Sequence, residues 1–323
     1  MNNRVHSHRM SPPMCAWILV SLAGAVFTSA VISTPLVAAP LSVPFDFSRG
    51  AIGLDATISG QRVYVMLDTG VDPSVIDTNR AEALGLKVDR GVSGEVSGFG
   101  DARSASVFPA TIGGLAIGSR DFGPVDALAS DLSAMSAAYG RKLDAVLGYS
   151  FLKDKIVLID YPNRKVVLLD RLADARPTIR SCGQHWSLAL QTLSDDNWPI
   201  IPNFRFGSSV GPVTLDTGSN GGIGLFERAL DLPGMRPALV ESGDVEHAGF
   251  RGNEKSKTYV LNESVGFGPF RLPAGQVVTL TKASSATDKR VANIGNQLFA
   301  VMNLKIMLNY AAKQLQFYGN CGR

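Results

Sequence analysis

The sequence predicts an all-β protein built from two similar halves in one chain, related by a pseudo-two-fold axis. Three observations carry the prediction. The tripeptide Asp-Thr-Gly occurs twice, each time closing an apolar run: Tyr64-Val65-Met66-Leu67 before Asp68, and Val213-Thr214-Leu215 before Asp216. The features flanking the two copies recur in one order. Apolar runs are short and punctuated by glycine, with little helical periodicity. The two aspartates stand 148 positions apart, about one small lobe.

Taken in order, residues 1–39 read as an export signal. Arg4 and Arg9 precede an apolar stretch from Met14 through Ile32, and small residues follow, with Val37-Ala38-Ala39 or Thr28-Ser29-Ala30 as the cleavage triplet. The alternative is an uncleaved membrane anchor over residues 14–37, because the stretch approaches the ~20 residues needed to span a bilayer. The first lobe is then 40–172 and the second 173–323, with the boundary near Asp170 to Ser181, where Leu-Ala-Asp-Ala-Arg-Pro-Thr interrupts the strand pattern.

Each half opens with strand, glycine turn, strand. In the first, Ile52 to Ile58 leads through Ser59-Gly60-Gln61-Arg62 to Val63–Leu67; in the second, Ile200 to Phe206 leads through Gly207 to Gly211 into Val213–Leu215. Gly98-Phe99-Gly100 follows Asp68 by 30 positions, and Gly249-Phe250-Arg251-Gly252 follows Asp216 by 33. Each is a glycine-bracketed aromatic between extended segments, suited to a mobile hairpin tip, or to a turn aromatic packed on its own hairpin. Ile112-Gly113-Gly114-Leu115 is matched with Val265-Gly266-Phe267-Gly268. A matched triplet ending in Gly follows, Val146-Leu147-Gly148 and Asn293-Ile294-Gly295, with the glycines 80 and 79 positions after their aspartates. Two strands around a Tyr-initiated turn close each half: Lys155–Asp160 and Lys165–Leu169 around Tyr161, Leu304–Asn309 and Leu315–Tyr318 around Tyr310. Short helices are expected over Asn79–Leu86, Asp131–Tyr139 and Phe226–Leu230.

The 323 residues suffice for two cores. The net charge is +3; residues 1–39 hold two Arg and no acid, so the remainder stands at +1, with no Lys/Arg cluster to favour nucleic acid. Beyond residue 39, only Cys182 and Cys321 remain. In an exported protein an even count suggests a disulfide, closing a loop of 139 residues and worth about 4–5 kcal/mol in the chain-entropy model. The alternative is two buried free thiols.

On these residues the chain resembles the pepsin/retropepsin clan, and most nearly the bacterial retropepsin-like aspartyl proteases that carry two lobes in one chain. The resemblance covers nearly all of residues 45–319 and rests on the duplicated Asp-Thr-Gly and the matched triplets ending in Gly. It implies a bilobal fold in which Asp68 and Asp216 form a catalytic dyad. Two carboxyls a hydrogen bond apart cannot both ionise cheaply, so they share a proton. One acts as general base toward water while the other, protonated, polarises the carbonyl; the sequence leaves open which does which. The resemblance further implies that the Thr69 and Thr217 hydroxyls bond across to the opposite loop. It also implies that the Ser219 hydroxyl bonds the outer oxygen of Asp216. Gly70 and Gly218 leave room for a backbone N–H beside the carboxylates. Val71 stands where Ala or Ser is usual, which would make the dyad asymmetric. The flaps the resemblance implies are Gly98, Phe99 and Gly100, and Gly249 and Phe250; a pepsin-type flap tyrosine has no obvious match.

No His-Glu-x-x-His, metal-spaced cysteine pair or GxGxxG is present, so no metal or organic cofactor is implied. The expected activity is aspartic endopeptidase, with a peptide or protein substrate, no nucleic acid, a membrane only through an uncleaved amino terminus, and a monomer as the working unit. The rivals are a peptide-binding module on the same fold and a self-processing enzyme.

Overall fold

The computed structural model describes residues 40–96, 105–191, 197–249, 252–281 and 289–322. They belong to one compact unit, Ala39–Arg323. The chain is all-β, with short helices between strands. The first half runs β1 (Leu41–Pro44), β2 (Gly53–Ile58), β3 (Gln61–Leu67), β4 (Ser74–Asp77), β5 (Gly94–Val96), β6 (Ala105–Ile112), β7 (Leu115–Ile117), β8 (Arg120–Asp121), β9 (Val125–Ser130), β10 (Ala145–Leu147), β11 (Ile156–Asp160) and β12 (Lys165–Leu169). The second runs β13 (Cys182–Ala189), β14 (Ile200–Phe206), β15 (Ser209–Asp216), β16 (Ile223–Phe226), β17 (Leu239–Gly249), β18 (Gly252–Leu261), β19 (Val265–Phe267), β20 (Phe270–Leu272), β21 (Gln276–Thr281), β22 (Ala292–Gly295), β23 (Lys305–Asn309) and β24 (Gln314–Cys321).

The repeat seen in the sequence is a repeat of topology. One nine-stranded sheet has the order β5-β6-β9-β4-β10-β3-β2-β7-β8, and the other has β17-β18-β21-β16-β22-β15-β14-β19-β20. Position by position, the second order is the first transposed to the second half of the chain. A six-stranded sheet, β1-β12-β11-β23-β24-β13, joins the halves at the antiparallel pair β11–β23, where Leu158 faces Met307. Its order reads the same from either end, as a two-fold axis through that pair requires.

Burial explains which strands are central. β3 and β10 carry near-continuous apolar runs and β4 is buried along its whole length, its Ser74 and Asp77 included, and β10 runs parallel to β3 and antiparallel to β4. β2, nearer the edge, lets Asp55 face solvent. One apolar cluster spans both halves, from Leu67 and Phe151 to Leu215, Phe299 and Phe317. The Cys182–Cys321 disulfide is formed between register partners on β13 and β24, pinning the outer edge of the six-stranded sheet.

Local expectations met the structure unevenly. Helices occupy Thr78–Ala83 and Ser133–Tyr139, while Glu227–Asp231 is a tighter 3-10 turn. The turn before the second Asp-Thr-Gly is shorter than expected, since β15 already begins at Ser209. The match of Gly113-Gly114 with Gly266 is corrected. Gly113-Gly114 links β6 to β7, whereas Gly266 lies inside β19 and shares the sheet position of Ala116. The true equivalents are Gly118 and Gly268, each left-handed (φ +59 and +49) at the tip of its hairpin. Two short helices, Tyr149–Leu152 and Asn296–Val301, each begin directly after the triplet ending in Gly and had no periodic signal long enough to reveal them. The export segment 1–39, Gly98, Phe99, Gly100 and Phe250 lie outside the described residues. The strands leading to both tips pair as hairpins, β5 with β6 and β17 with β18, with Gly249 opposite Gly252.

Candidate active site

Each aspartate is delivered by the same local device. β3 ends at Leu67, paired in parallel with Leu147 of β10, and the Asp68 N–H donates to the Leu147 carbonyl at 3.0 Å. β15 ends at Asp216, in parallel register with Gly295 of β22. The glycine that follows each inner strand permits close packing of the turn. A side chain at Gly148 or Gly295 would fall on the Val71 or Gly221 carbonyl oxygen. The Tyr149 N–H donates to Val71 O (2.8 Å), and the Asn296 N–H to Ser219 O (3.1 Å).

The two turns are locked to each other through their threonines. Thr69 Oγ1 donates to the Leu215 carbonyl at 2.7 Å and accepts the Thr217 N–H at 3.1 Å; Thr217 Oγ1 donates to the Leu67 carbonyl at 2.9 Å and accepts the Thr69 N–H at 2.9 Å. Both threonines are buried, so these four bonds form away from water. Replacing Thr69 by Val leaves the Leu215 carbonyl and the Thr217 N–H unsatisfied. It is expected to cost about 2–5 kcal/mol of unfolding free energy, read by urea denaturation; a change under about 1 kcal/mol would remove the lock from the account.

The lock brings the carboxylates of Asp68 and Asp216 together. Asp68 Oδ1 accepts the Gly70 N–H (2.7 Å) and the Gly218 N–H (3.1 Å); Asp216 Oδ1 accepts the Gly218 N–H (3.0 Å) and the Ser219 N–H (3.0 Å). Gly218 therefore serves both carboxylates with one donor. A Cβ at Gly218 would overlap the Asp68 carboxyl, and one at Gly70 would lie 3.0 Å from Asp216 Oδ1. Both glycines are required because the opposite aspartate occupies the space a side chain would need. Ser219 departs from its expected role: its contact to Asp216 is the backbone N–H, and its hydroxyl accepts from the Gly221 N–H at 3.4 Å. The asymmetry tied to Val71 is corrected with it, since each aspartate receives two backbone donors.

Electrostatic asymmetry has another source. Burial, followed by the neighbouring Asp216, raises the pKa of Asp68, which is 4% exposed. Asp216 is also raised by burial, but the Ser219 and Gly218 N–H groups, then a hydrogen bond from Asp68 and the positive charge of Arg290, hold it down. Arg290 is buried, donates to Thr214 Oγ1 at 2.8 Å and lies over the Trp198 ring at 3.7 Å. The sign for stability follows. A carboxyl raised on folding contributes stability that is fully present below its unfolded pKa, near 3.8, and is lost as pH rises through the folded value. The melting temperature of the wild type is therefore expected to fall relative to Asp68→Asn as pH climbs from 4 to 7. Parallel curves across that range would contradict the raised pKa.

Two residues that the sequence did not single out complete the site. Asn296, fully buried, donates its side-chain amide to the carbonyls of Thr217 (2.7 Å) and Ser219 (2.9 Å), and accepts from the Tyr161 hydroxyl at 2.7 Å. Tyr161 reaches it from the first half. The related pair, Tyr310 and Tyr149, packs edge to face at 5.3 Å instead. The available signal was the Tyr-initiated turn repeated after β11 and β23, whose Tyr161 and Tyr310 point back at the dyad turns. Among the described residues no group of three or more His, Cys, Asp or Glu could hold a metal ion.

Residues 54–151 match the family model described as aspartyl protease, a span that includes the first Asp-Thr-Gly. The match supports an aspartyl protease family for this chain. No curated protein matches it.

Proposed function

We propose that the chain is an aspartic endopeptidase of two lobes, 40–172 and 173–323, that hydrolyses peptide bonds with a water held between Asp68 and Asp216. The observation that carries the reading is the pair of raised, adjoining carboxylates fixed by the Thr69–Thr217 lock. Asp68, the more deeply buried, holds the shared proton; Asp216, held down by the Ser219 and Gly218 N–H groups, the bond from Asp68 and the charge of Arg290, is the ionised partner. Asp216 takes a proton from the water as its oxygen attacks the scissile carbonyl carbon, and Asp68 gives its proton to the carbonyl oxygen. A proton passed to the amide nitrogen then releases the amine as the C–N bond breaks.

The peptide would lie extended beneath the β5–β6 and β17–β18 hairpins, adding backbone hydrogen bonds to their edges. A monomer suffices, because one chain supplies both aspartates. Export agrees with the Cys182–Cys321 disulfide. Among the described residues no helix is long and apolar enough to cross a membrane.

The test incubates the purified protein with a diverse peptide mixture across roughly pH 3 to 7, where a coupled carboxyl pair titrates. Products are read by mass spectrometry with and without a transition-state-mimicking aspartic protease inhibitor. Inhibitor-sensitive cleavage at internal bonds is expected. Folded protein that cleaves nothing at any pH would replace the hydrolase with the peptide-binding module. Cleavage confined to its own amino terminus would make it self-processing.

A further inference from the structure

Beside the second Asp-Thr-Gly turn lies a cavity of about 480 Å³ whose walls come from both halves of the chain. The loop before β2 contributes Phe47, Ser48 and Arg49; the helix Ser133–Tyr139 contributes Tyr139; Asn220 and Gln297 come from the second half. The cavity is continuous with the dyad scaffold. Asn220 follows Ser219, whose N–H holds Asp216, and the Gln297 N–H donates to the Gly221 carbonyl at 3.0 Å. Gly50 makes this junction possible: it is left-handed (φ +78), and a Cβ there would lie 2.9 Å from the Asn220 carbonyl oxygen.

The walls differ from an ordinary apolar side-chain pocket. Among the described residues, Arg49 is the only charged one in the lining. Its guanidinium rests against Gly140, left-handed at φ +70, where a Cβ would come within 3.0 Å of Arg49 Cζ. The nearby acid is already engaged, since Asp46 accepts from the Ser48 N–H (2.9 Å), the Tyr64 hydroxyl (3.1 Å) and Arg141 (3.3 Å). The Tyr139 hydroxyl is shared with that of Tyr64 at 3.0 Å. The described lining thus combines one cationic residue, Arg49, with the neutral hydrogen-bonding residues Ser48, Asn220 and Gln297, beside Phe47.

We propose that this cavity is a specificity pocket for a carboxylate of the substrate peptide, an Asp or Glu side chain, with Arg49 as its counter-ion and Ser48, Asn220 and Gln297 as neutral donors. The inference rests on the reading of the dyad cleft as a peptide site. An ionised carboxylate accepts from every one of these groups. A Lys or Arg in the same place meets like charge, and an apolar side chain desolvates the guanidinium without a partner.

The test walks Glu through successive positions of an otherwise fixed Ala/Leu peptide, each peptide made with an amidated and with a free carboxy terminus. Cleavage by the wild type, Arg49→Gln and Arg49→Glu is compared. The expected result is one position where Glu raises kcat/KM about tenfold in amidated peptides. That gain, taken for each protein relative to its own cleavage of the all-Ala/Leu peptide, disappears in Arg49→Gln, and in a parallel series carrying Lys it turns to a preference for Lys in Arg49→Glu. A gain seen only with free-acid peptides would place a chain terminus in the pocket and overturn the side-chain assignment. Equal cleavage at every Glu position, or a preference that survives Arg49→Gln, overturns the proposal. If the wild type cleaves nothing, the hydrolase reading fails by itself. Fluorescence anisotropy of the labelled peptides then decides the pocket: tighter binding of one Glu peptide, lost in Arg49→Gln, supports it, and equal binding overturns it.

Discussion

Asn in place of Asp68, or of Asp216, is expected to lower peptide hydrolysis by about 10⁴-fold or more, with the fold retained. The two groups act as one unit sharing a proton, so either substitution removes both the acid and the base function, and the double variant should be no worse than the single ones. The change preserves size, and an Asn Oδ1 can still accept the Gly70 and Gly218 donors at position 68, or the Gly218 and Ser219 donors at position 216. Stability should therefore hold, and at neutral pH Asp68→Asn should gain some, because a buried carboxyl no longer has to stay protonated. Cleavage within tenfold of wild type by either folded variant, at any pH from 3 to 7, would remove that aspartate from the chemistry.

The largest effect on stability is expected away from the dyad, at the join between the halves. Lys305 and Asp160 face each other in register across β23 and β11, both nearly inaccessible, with Nζ to Oδ2 at 2.8 Å. The same ammonium donates to the Thr178 carbonyl at 2.9 Å, in the short helix Arg176–Ile179 that links the two halves. Asp160 also receives the Asn163 N–H at 3.1 Å and so caps the Tyr161 turn. Removing the ammonium leaves a carboxylate buried without its counter-ion. Lys305→Met should cost about 3–5 kcal/mol, and the double variant Lys305→Met/Asp160→Asn should recover much of it, since Asn keeps the turn cap without the charge. Urea denaturation of the four proteins of the cycle reads the coupling directly. A single variant within about 1 kcal/mol of wild type would show that the site relaxes or admits water. The pseudo-symmetry makes the point sharper: at the other end of the β11–β23 pair, Asn309 faces Ile156 and caps its own turn through the Ala312 N–H at 3.0 Å. The cap is repeated and the ion pair is not.

Much of the fold was legible because its signals are local. Short apolar runs ending in Asp-Thr-Gly, glycine turns and Tyr-initiated turns are written in neighbouring residues, and their recurrence at near-equal spacing set the order of strands. Correspondence between strands was less secure. Gly113-Gly114 and Val265–Gly268 look alike as strings, yet they occupy different sheet positions, because a glycine's role depends on the backbone beside it.

By itself, the sequence determined the all-β class, the duplication, and the two aspartates with their threonines and glycines. Each is a matter of residue type and spacing along the chain. Tertiary structure alone decided the rest. It placed the side chains of residues about 150 positions apart within hydrogen-bond reach, as with Thr69 and Thr217, Tyr161 and Asn296, or Lys305 and Asp160. It turned Ser219 so that its N–H, not its hydroxyl, meets Asp216. It set Arg49 beside Asn220 to form a cavity that belongs to neither half alone. The physical reason is that periodicity and turn chemistry act over a few residues, whereas burial and hydrogen-bond geometry are fixed only when separate strands pack.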